Sequence, residues 1–243
     1  MPKNILKKLE GLTPDESAKL LELERSVALD DARPNITNNF LSFVKYVWPE
    51  FIEGSHHKII NKKFNDLAEG KIKRLIINMP PRHTKSEFAS YLLPAWMIGK
   101  NPKLKIIQAT HTADLAIDFG RKTKNLVDEP SYRELFPTRL QEDSQAAGKW
   151  KTEQGGEYFA AGVGGAITGR GADLLIIDDP HKEQDIRGDG KSFEKAMNWY
   201  TAGPRQRLQP GGSIVIVMTR WSTKDVTGQL LKAQGEEGSD QWE

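Results

Sequence analysis

The stretch from Leu75 to Ser86, LIINMPPRHTKS, constrains the fold of this chain more than any other. Its first apolar residues predict a buried strand, the Pro-Pro pair predicts a turn, and helical spacing begins at Glu87. A helix that opens at Lys85 and Ser86 presents free backbone N–H groups and the positive end of its dipole, which favour an anion. The stretch therefore predicts a phosphate-binding loop, in which Lys85 adds a positive charge and the Ser86 hydroxyl can hold a magnesium ion.

This loop departs from the pattern G-x-x-x-x-G-K-[ST] at both glycines, which are replaced by Met79 and Thr84. A backbone φ above zero at Thr84 would be strained because the side chain is β-branched. Taken alone, the stretch is equally compatible with an ordinary turn that carries solvated charges. The residues predicted to contact a nucleotide are Pro81, Arg82, His83, Thr84, Lys85, Ser86 and Glu87.

Length and composition set wide bounds. With 243 residues and 37% hydrophobic content, the chain can bury one good-sized core, which predicts one domain plus appendages. The net charge of +2 permits a nucleic-acid partner without requiring one. The absence of cysteine excludes disulfides and thiolate metal sites. No apolar run reaches membrane-spanning length and the N-terminus lacks a signal core, so we expect a soluble, unsecreted protein with no membrane partner.

Three helices are predicted before the loop. A capping box at Thr13 and Glu16 opens an amphipathic helix that is expected to end near Pro34, and two more are predicted over 40–48 and 58–68. We assign residues 1–36 to an N-terminal helical arm and residues 37–243 to the domain that contains the loop. His56 and His57, just before the third helix, are a poor metal site, since adjacent residues cannot both face one metal from a helix; one of them could contact a nucleotide base.

Strands and helices alternate after the loop. Strands are predicted over 103–110, 157–163, 172–178 and 213–218, and helices over 112–127, 191–202 and 223–232. This alternation predicts an α/β fold with a mostly parallel sheet and helices on both faces. Ligands of such sheets bind at the carboxyl ends of the strands. Polar groups that follow strands directly, and so should converge, are Arg82 to Ser86, Thr110, His111, Asp178, Asp179 and Thr219 to Trp221.

Two adjacent carboxylates after an apolar strand suit phosphoryl transfer. Asp178 can hold magnesium opposite Ser86, while Asp179 orients or deprotonates an attacking water. The alternative is that the two residues only form a turn after the strand. Asp179 is one methylene shorter than the Glu that many hydrolysing enzymes carry at this position.

The transition state of phosphoryl transfer also needs cations. The candidates are Arg82, Arg170 and Arg220, each of which could equally be a surface arginine. We favour Arg170 as an arginine finger, since flanking glycines let it reach a neighbouring subunit. Thr219 is a candidate sensor of the γ-phosphate, the alternative being an ordinary residue at the end of a strand.

From about His56 to Leu231, the chain resembles the ATPase domain of the large terminase subunit of tailed bacteriophages, the motor that packages DNA into a capsid. The motifs that carry the resemblance are, in order, PPRHTKSE, KIIQATHTADLAIDFGRKTKNLV, ITGRGADLLIIDDP and PGGSIVIVMTRWSTKDVTGQLL. The resemblance implies a P-loop ATPase of the additional-strand (ASCE) class, with the coupling strand between the Walker A and Walker B strands. It also makes residues 37–243 the P-loop ATPase domain.

The resemblance implies a role for each matching residue. Lys85 and Ser86 match the phosphate-binding lysine and the magnesium-binding hydroxyl, and Asp178 matches the Walker B carboxylate. The other matches are Asp179 to the catalytic acid, Arg82 to the arginine inside the phosphate loop, Arg170 to the region that supplies a finger in trans, and Thr219 to the coupling motif.

The implied cofactors are ATP and Mg²⁺. The implied partners are double-stranded DNA, the portal protein, the small terminase subunit and further copies of the chain in a ring, a pentamer when docked. The implied location is the cytoplasm of the infected bacterial host, outside the mature virion. Complete large terminases carry a carboxyl-terminal nuclease domain, and too few residues follow the last predicted helix for one. We therefore expect an excised ATPase domain or a truncated protein that does not cleave DNA.

Three other hypotheses stay open. One is a helicase-like DNA translocase. Another is a nucleotide-binding assembly module with little or no hydrolysis, which the missing glycines and the short Asp179 would favour. The third is a purely structural α/β domain. Candidate contacts to DNA phosphates are Lys122, Lys124, Arg205 and Arg207, although scattered surface charges explain such residues as well.

Overall fold

A computed structural model describes residues 12–144, 146–167, 169–182 and 190–243. Three helices come first, α1 (Pro14–Asn38), α2 (Phe40–Val47) and α3 (Ser55–Ala68), followed by strand β1 (Arg74–Asn78) and the predicted phosphate loop. The remaining elements are a π-helical segment (Glu87–Leu92) that continues as α4 (Leu93–Lys100), β2 (Lys105–Thr110), α5 (Ala113–Asp128), α6 (Pro130–Leu135), β3 (Lys149–Lys151), β4 (Glu157–Gly162), β5 (Ala172–Asp178), α7 (Lys191–Ala202), a 3₁₀ turn (Pro204–Arg207), β6 (Leu208–Met218) and α8 (Val226–Ala233).

The strands of the described residues form one six-stranded sheet in the order β1-β6-β5-β2-β4-β3. All neighbours are parallel except β3 and β4. The predicted α/β class and mostly parallel sheet are confirmed. Strand β6 lies between β1 and β5, the order expected for a P-loop ATPase of the additional-strand class.

Both faces of the sheet are covered by helices, as predicted. Side chains along β5 alternate, since Leu174 and Ile176 belong to one apolar core whereas Leu175 and Ile177 belong to the other. The first core is completed by α1 to α6 and includes Phe40, Phe64, Phe88 and Trp96; the second is completed by α7 and α8. A parallel sheet buried on both sides explains why its central strands are almost continuously apolar.

Helix α1 differs from its predicted extent. The capping box is confirmed, since Thr13 Oγ1 accepts a hydrogen bond from the Glu16 backbone N–H and the Glu16 side chain accepts one from the Thr13 N–H. The predicted end near Pro34 is wrong, because the helix continues to Asn38. Proline removes only one backbone donor, and the Trp96 indole N–H binds the Thr37 carbonyl at 3.0 Å, which holds the last turn against α4. The division into an arm and a domain at residue 36 stays a prediction.

Other boundaries also differ. Helix α3 begins at Ser55 and so includes both histidines that were placed before it. Strand β3 lies outside the predicted elements, and β6 begins at Leu208, before the predicted start at residue 213. Helix α8 begins at Val226 because Asp225 caps it. Within the described ranges, every helix is too short or too polar to cross a bilayer.

Candidate nucleotide-binding site

The site lies at the carboxyl edge of the sheet, where β1, β6, β5 and β2 end level with one another. Asn78 is in register with Met218, and Asp178 is in register with both Val217 and Thr110. The polar residues that follow these strands therefore meet, as the strand-end rule predicts. The contacts below bring together Lys85, Ser86, His111, Asp178, Asp179 and Thr219.

The loop from Met79 to Ser86 is anchored at both ends. The Met79 N–H donates to the Met218 carbonyl at 3.0 Å, and the Phe88 N–H donates to the Thr84 carbonyl at 2.9 Å, which starts the helix. Arg82 and Thr84 each have a φ of 62°. Thr84 thus takes the left-handed conformation that glycine adopts freely, and a β-branched residue there is strained by about 1–2 kcal/mol.

Lys85 and Ser86 face the two carboxylates across β6. Lys85 Nζ lies 2.8 Å from Asp179 Oδ2, and the Ser86 hydroxyl donates to Asp178 Oδ1 at 3.0 Å. Lys85 is only 7% exposed, whereas Pro81, Arg82 and His83 are exposed. The loop therefore presents its outer residues to solvent and buries its lysine against the carboxylates.

Asp178 is buried and accepts a second hydrogen bond, at 2.7 Å, from the Ser90 hydroxyl. Burial, and secondarily the negative charge of Asp179, raises the pKa of Asp178 to about 6, against the opposing effects of the two serine hydroxyls and Lys85. The site holds an ionised Asp178 poorly in the absence of a cation. A divalent ion beside this carboxylate would stabilise its ionised form and lower its pKa.

Both carboxylate oxygens of Asp179 have polar partners. Besides the Lys85 contact, its Oδ1 accepts the Thr219 N–H at 2.9 Å, and its backbone takes a φ of 41°. The His111 Nδ1 lies 3.2 Å from the Asp179 carbonyl, and the Thr219 hydroxyl donates to the Met79 carbonyl at 3.3 Å. Thr219 therefore bridges the start of the phosphate loop and the second carboxylate.

The residues present fit a magnesium–nucleotide complex. Ser86 and Asp178 offer hard oxygen ligands side by side, and the helix start and Lys85 offer donors to phosphate. Across the described ranges, no three His, Cys, Asp or Glu side chains cluster as a metal site. Magnesium ordinarily takes one or two protein carboxylates and completes its shell with phosphates and waters, so a cluster of that kind is not required.

Arg170 lies away from this edge of the sheet. Its guanidinium pairs with Glu157 and stacks over the Phe159 ring, 4.0 Å from the ring centroid. Glu157 is the first residue of β4, and Arg170 comes two residues before β5, so the pair marks the amino edge. A strand of this length places the two edges ~17 Å apart. The expected outward reach of Arg170 is therefore not seen, since the side chain packs on its own subunit.

Three other basic candidates, Arg220, Lys122 and Arg205, also have partners within the chain. Arg220 Nε donates to the Ser222 carbonyl at 3.0 Å and lies 3.4 Å from the buried Asp225 carboxylate. Of the candidate contacts to DNA, Lys122 pairs with Glu87 at 2.9 Å, and Arg205 pairs with Asp240 at 2.9 Å. Glu87, predicted to contact the nucleotide, is thus engaged by a neighbouring helix.

Two residues of the site, Ser90 and Asp225, were not singled out from the sequence, and the contact that His57 makes with Thr84 was not predicted. Ser90 follows Ser86 by four positions, a spacing that places both on one helix face and could have suggested a second donor to Asp178. Asp225 accepts the backbone N–H groups of Trp221 and Ser222, each at 2.9 Å, and so shapes the segment after Thr219. His57 binds Thr84 across 27 positions of sequence, and no local pattern signals that contact.

Comparison with known proteins agrees with the fold. No protein-family model matches the chain, and no curated protein matches it. Among solved structures, the crystal structure of the HK97 bacteriophage large terminase is similar over 77% of this chain, with a TM-score of 0.50 and 12% sequence identity. The match spans 38% of that terminase chain. At this identity the likeness shows the fold alone, which is terminase-like.

Proposed function

We propose that this chain is the ATPase domain of a viral DNA-packaging motor, which hydrolyses ATP to move double-stranded DNA into a procapsid. The observation that carries the proposal is that Lys85 and Ser86, at a helix start, directly face Asp178 and Asp179 at the ends of neighbouring strands. The terminase-like fold and the position of β6 between β1 and β5 support it. The division into a helical arm, residues 1–36, and an ATPase domain, residues 37–243, belongs to this proposal.

In this proposal the loop binds the phosphates of ATP. Backbone N–H groups of the loop and the Lys85 ammonium hold the phosphate oxygens, and Ser86 and Asp178 hold Mg²⁺. The bound ion offsets negative charge on the phosphates. Arg82, exposed in the same loop, adds a second cation near the γ-phosphate.

Asp179 prepares the attacking water. Its Oδ2 is paired with Lys85, so phosphates that attract the Lys85 ammonium release this oxygen to accept a hydrogen bond from water. The Thr219 N–H keeps Oδ1 in place meanwhile. The water oxygen then bonds to the γ-phosphorus while the bond from that phosphorus to the bridging oxygen of ADP breaks, and Asp179 accepts the proton that the water loses. Thr219, tied to both the loop and Asp179, passes the change to the segment that follows β6.

Arg170 acts in trans in this proposal. Because it lies at the amino edge of its own sheet, it reaches a phosphate site only on a neighbouring subunit, and it must first leave Glu157 and Phe159. This requirement favours a ring of subunits, in which each interface completes one site. A portal protein and a small terminase subunit are the proposed partners, in the cytoplasm of an infected bacterium.

The test is ATP turnover over a range of protein concentrations, with Lys85→Ala, Asp179→Ala and Arg170→Ala beside the wild type. We expect turnover to rise more than linearly with concentration, each variant to abolish it, and only Lys85→Ala to abolish ATP binding. Arg121→Ala is the matched control, since Arg121 is an exposed arginine on α5. Its turnover should equal that of the wild type.

A mixing experiment isolates the action in trans. Asp179→Ala subunits keep Arg170, and Arg170→Ala subunits keep Asp179, so an equal mixture rebuilds about a quarter of the interfaces in a ring. Recovery of turnover on mixing is the expected result. If the mixture stays as inactive as its components, Arg170 is not a finger in trans.

The second candidate is a nucleotide-binding assembly module with little or no hydrolysis. It is favoured by one observation, namely that both Asp179 oxygens are already engaged, by Lys85 and by the Thr219 N–H. In that case the wild type binds ATP with Mg²⁺ but turns it over no faster than Asp179→Ala at any concentration, with or without DNA.

A further inference from the structure

Helix α3 contacts the phosphate loop through one buried imidazole. His57 Nε2 lies 2.7 Å from Thr84 Oγ1, and His57 is only 4% exposed. Thr84 directly precedes Lys85 and stands where glycine-rich loops have their second glycine. The contact thus reaches the loop at its most strained position, where φ is 62°.

The hydrogen bonds around His57 define one arrangement of protons. The Gly54 N–H donates to Nδ1 at 2.7 Å, so Nδ1 carries no proton and Nε2 carries it. His57 Nε2–H therefore donates to Thr84 Oγ1, and the Thr84 hydroxyl in turn donates to the His83 carbonyl at 2.6 Å. Each donor in this series has one acceptor, and the imidazole is neutral.

Packing keeps the imidazole in this position. The His57 ring lies 4.7 Å from the Phe51 ring and 4.9 Å from the Phe88 ring, measured between centroids. Phe88 belongs to the helix that follows the loop, so His57 contacts both the loop and its continuation. Burial, and secondarily the neighbouring His56, lowers the pKa of His57, which agrees with a neutral ring at neutral pH.

We propose that His57 is a positioning residue for the phosphate loop. Its hydrogen bond holds Thr84 in the left-handed conformation that a glycine would adopt unaided, and thereby sets the backbone that carries Lys85 and Ser86. The inference rests on the proposed nucleotide-binding function. It explains how a loop without either usual glycine is kept in a phosphate-binding shape.

The experiment measures ATP binding in the presence of Mg²⁺ by titration calorimetry, with His57→Ala made in two backgrounds. In the wild-type background His57→Ala should weaken binding about tenfold, since a buried hydrogen bond is lost and the strain is uncompensated. In the Thr84→Gly background it should have no further effect, because glycine needs no support at φ 62°. The matched control is Lys58→Ala, the next residue on α3, whose side chain is 72% exposed.

Thr84→Val provides an independent check, because it keeps the β-branched shape and removes only the hydroxyl. It should reproduce the loss seen in His57→Ala, and the two losses should not add. If His57→Ala does not fold by circular dichroism, His57→Phe, which keeps a ring and removes the N–H donor, replaces it in the same two backgrounds.

Three results would overturn the inference or its basis. Unchanged ATP affinity in His57→Ala, with Lys85→Ala still abolishing binding, refutes the positioning role alone. An equal loss in both backgrounds shows that His57 acts through the packing of α3 and not through Thr84. Wild-type affinity in Lys85→Ala refutes the proposed nucleotide site itself.

Discussion

Replacing Asp178 by Asn should stabilise the unliganded protein while it abolishes Mg²⁺-dependent nucleotide binding. Asp178 is 2% exposed, and burial together with the charge of Asp179 raises its pKa from 3.8 to about 6. The folded protein therefore binds a proton here more tightly than the unfolded chain does. An asparagine keeps the shape of the side chain and a hydrogen-bond acceptor for Ser86, but carries no charge to bury.

The expected magnitude follows from the pKa difference. A rise of about two units corresponds to about 3 kcal/mol of unfolding free energy that is lost once Asp178 ionises. Since the folded pKa lies above the unfolded one, this stability is fully present below a pH of about 4 and is lost as the pH rises through about 6. At pH 8, Asp178→Asn should melt ~6–12 °C above the wild type. Near pH 4 the two melting temperatures should coincide.

The assay is thermal unfolding monitored by circular dichroism from pH 4 to 8, without nucleotide or metal. Asp118→Asn, an exposed carboxylate on α5, is the matched control and should follow the wild type. The reasoning is refuted if Asp178→Asn is less stable than the wild type at pH 8, or if its gain persists unchanged at pH 4.

Three further predictions concern single positions. Gly99→Ala should lower the free energy of unfolding by about 1–3 kcal/mol in urea, because its Cβ would lie 2.6 Å from the Tyr132 hydroxyl; an unchanged midpoint contradicts this. Thr219→Val should reduce DNA-stimulated turnover several-fold, because it removes the hydrogen bond from the Thr219 hydroxyl to the Met79 carbonyl of the loop. ATP binding should weaken less than turnover, and equal effects on the two would contradict a coupling role. Glu157→Gln should lower the protein concentration needed for half-maximal turnover by releasing Arg170, and an unchanged concentration dependence would show that the pair does not restrain it.

Much of the fold could be predicted because its main strands are decided locally. The apolar runs that form β2, β5 and the second half of β6 are buried on both faces, and the apolar run of β1 is buried or half-buried, so each can be recognised without its partner strands. Strand β3 could not be found in this way, because it has only three residues, Lys149–Lys151, two of them charged. Its position depends on Trp150, which stacks on Tyr158 of β4 with centroids 5.0 Å apart.

Helix ends were harder to predict, because tertiary contacts outweigh the local sequence signals for helix termination. Pro34 has the local character of a helix terminator, yet the contact of Trp96 with Thr37 extends α1 beyond it. The helix after the phosphate loop begins as a π-helix over Glu87–Leu92, just before Pro94, which has no N–H to continue the regular ladder. This π-helical segment includes Ser90, whose hydroxyl donates to Asp178.

The position of the site could be predicted from one topological rule, and the residues that depart from the prediction have physical explanations. Residues that come directly after parallel strands, such as Lys85, Asp179 and Thr219, lie together because those strands end at one edge. The same rule places Arg170 at the opposite edge of the sheet, because Arg170 precedes a strand. The prediction of a finger rested on the flexibility of its flanking glycines and did not use this rule. His57 approaches the loop from a separate helix, and its contact with Thr84 has no signal in the sequence.

The central claim is that the loop from Met79 to Ser86 binds ATP together with Mg²⁺. Its most direct test is calorimetric titration of the purified chain with ATP, with Mg²⁺ and with EDTA, for the wild type, Lys85→Ala and the exposed-lysine control Lys103→Ala. We predict one site per chain that requires Mg²⁺, no measurable binding in Lys85→Ala, and wild-type affinity in Lys103→Ala. Equal affinity in wild type and Lys85→Ala, or binding that is indifferent to EDTA, would contradict the account.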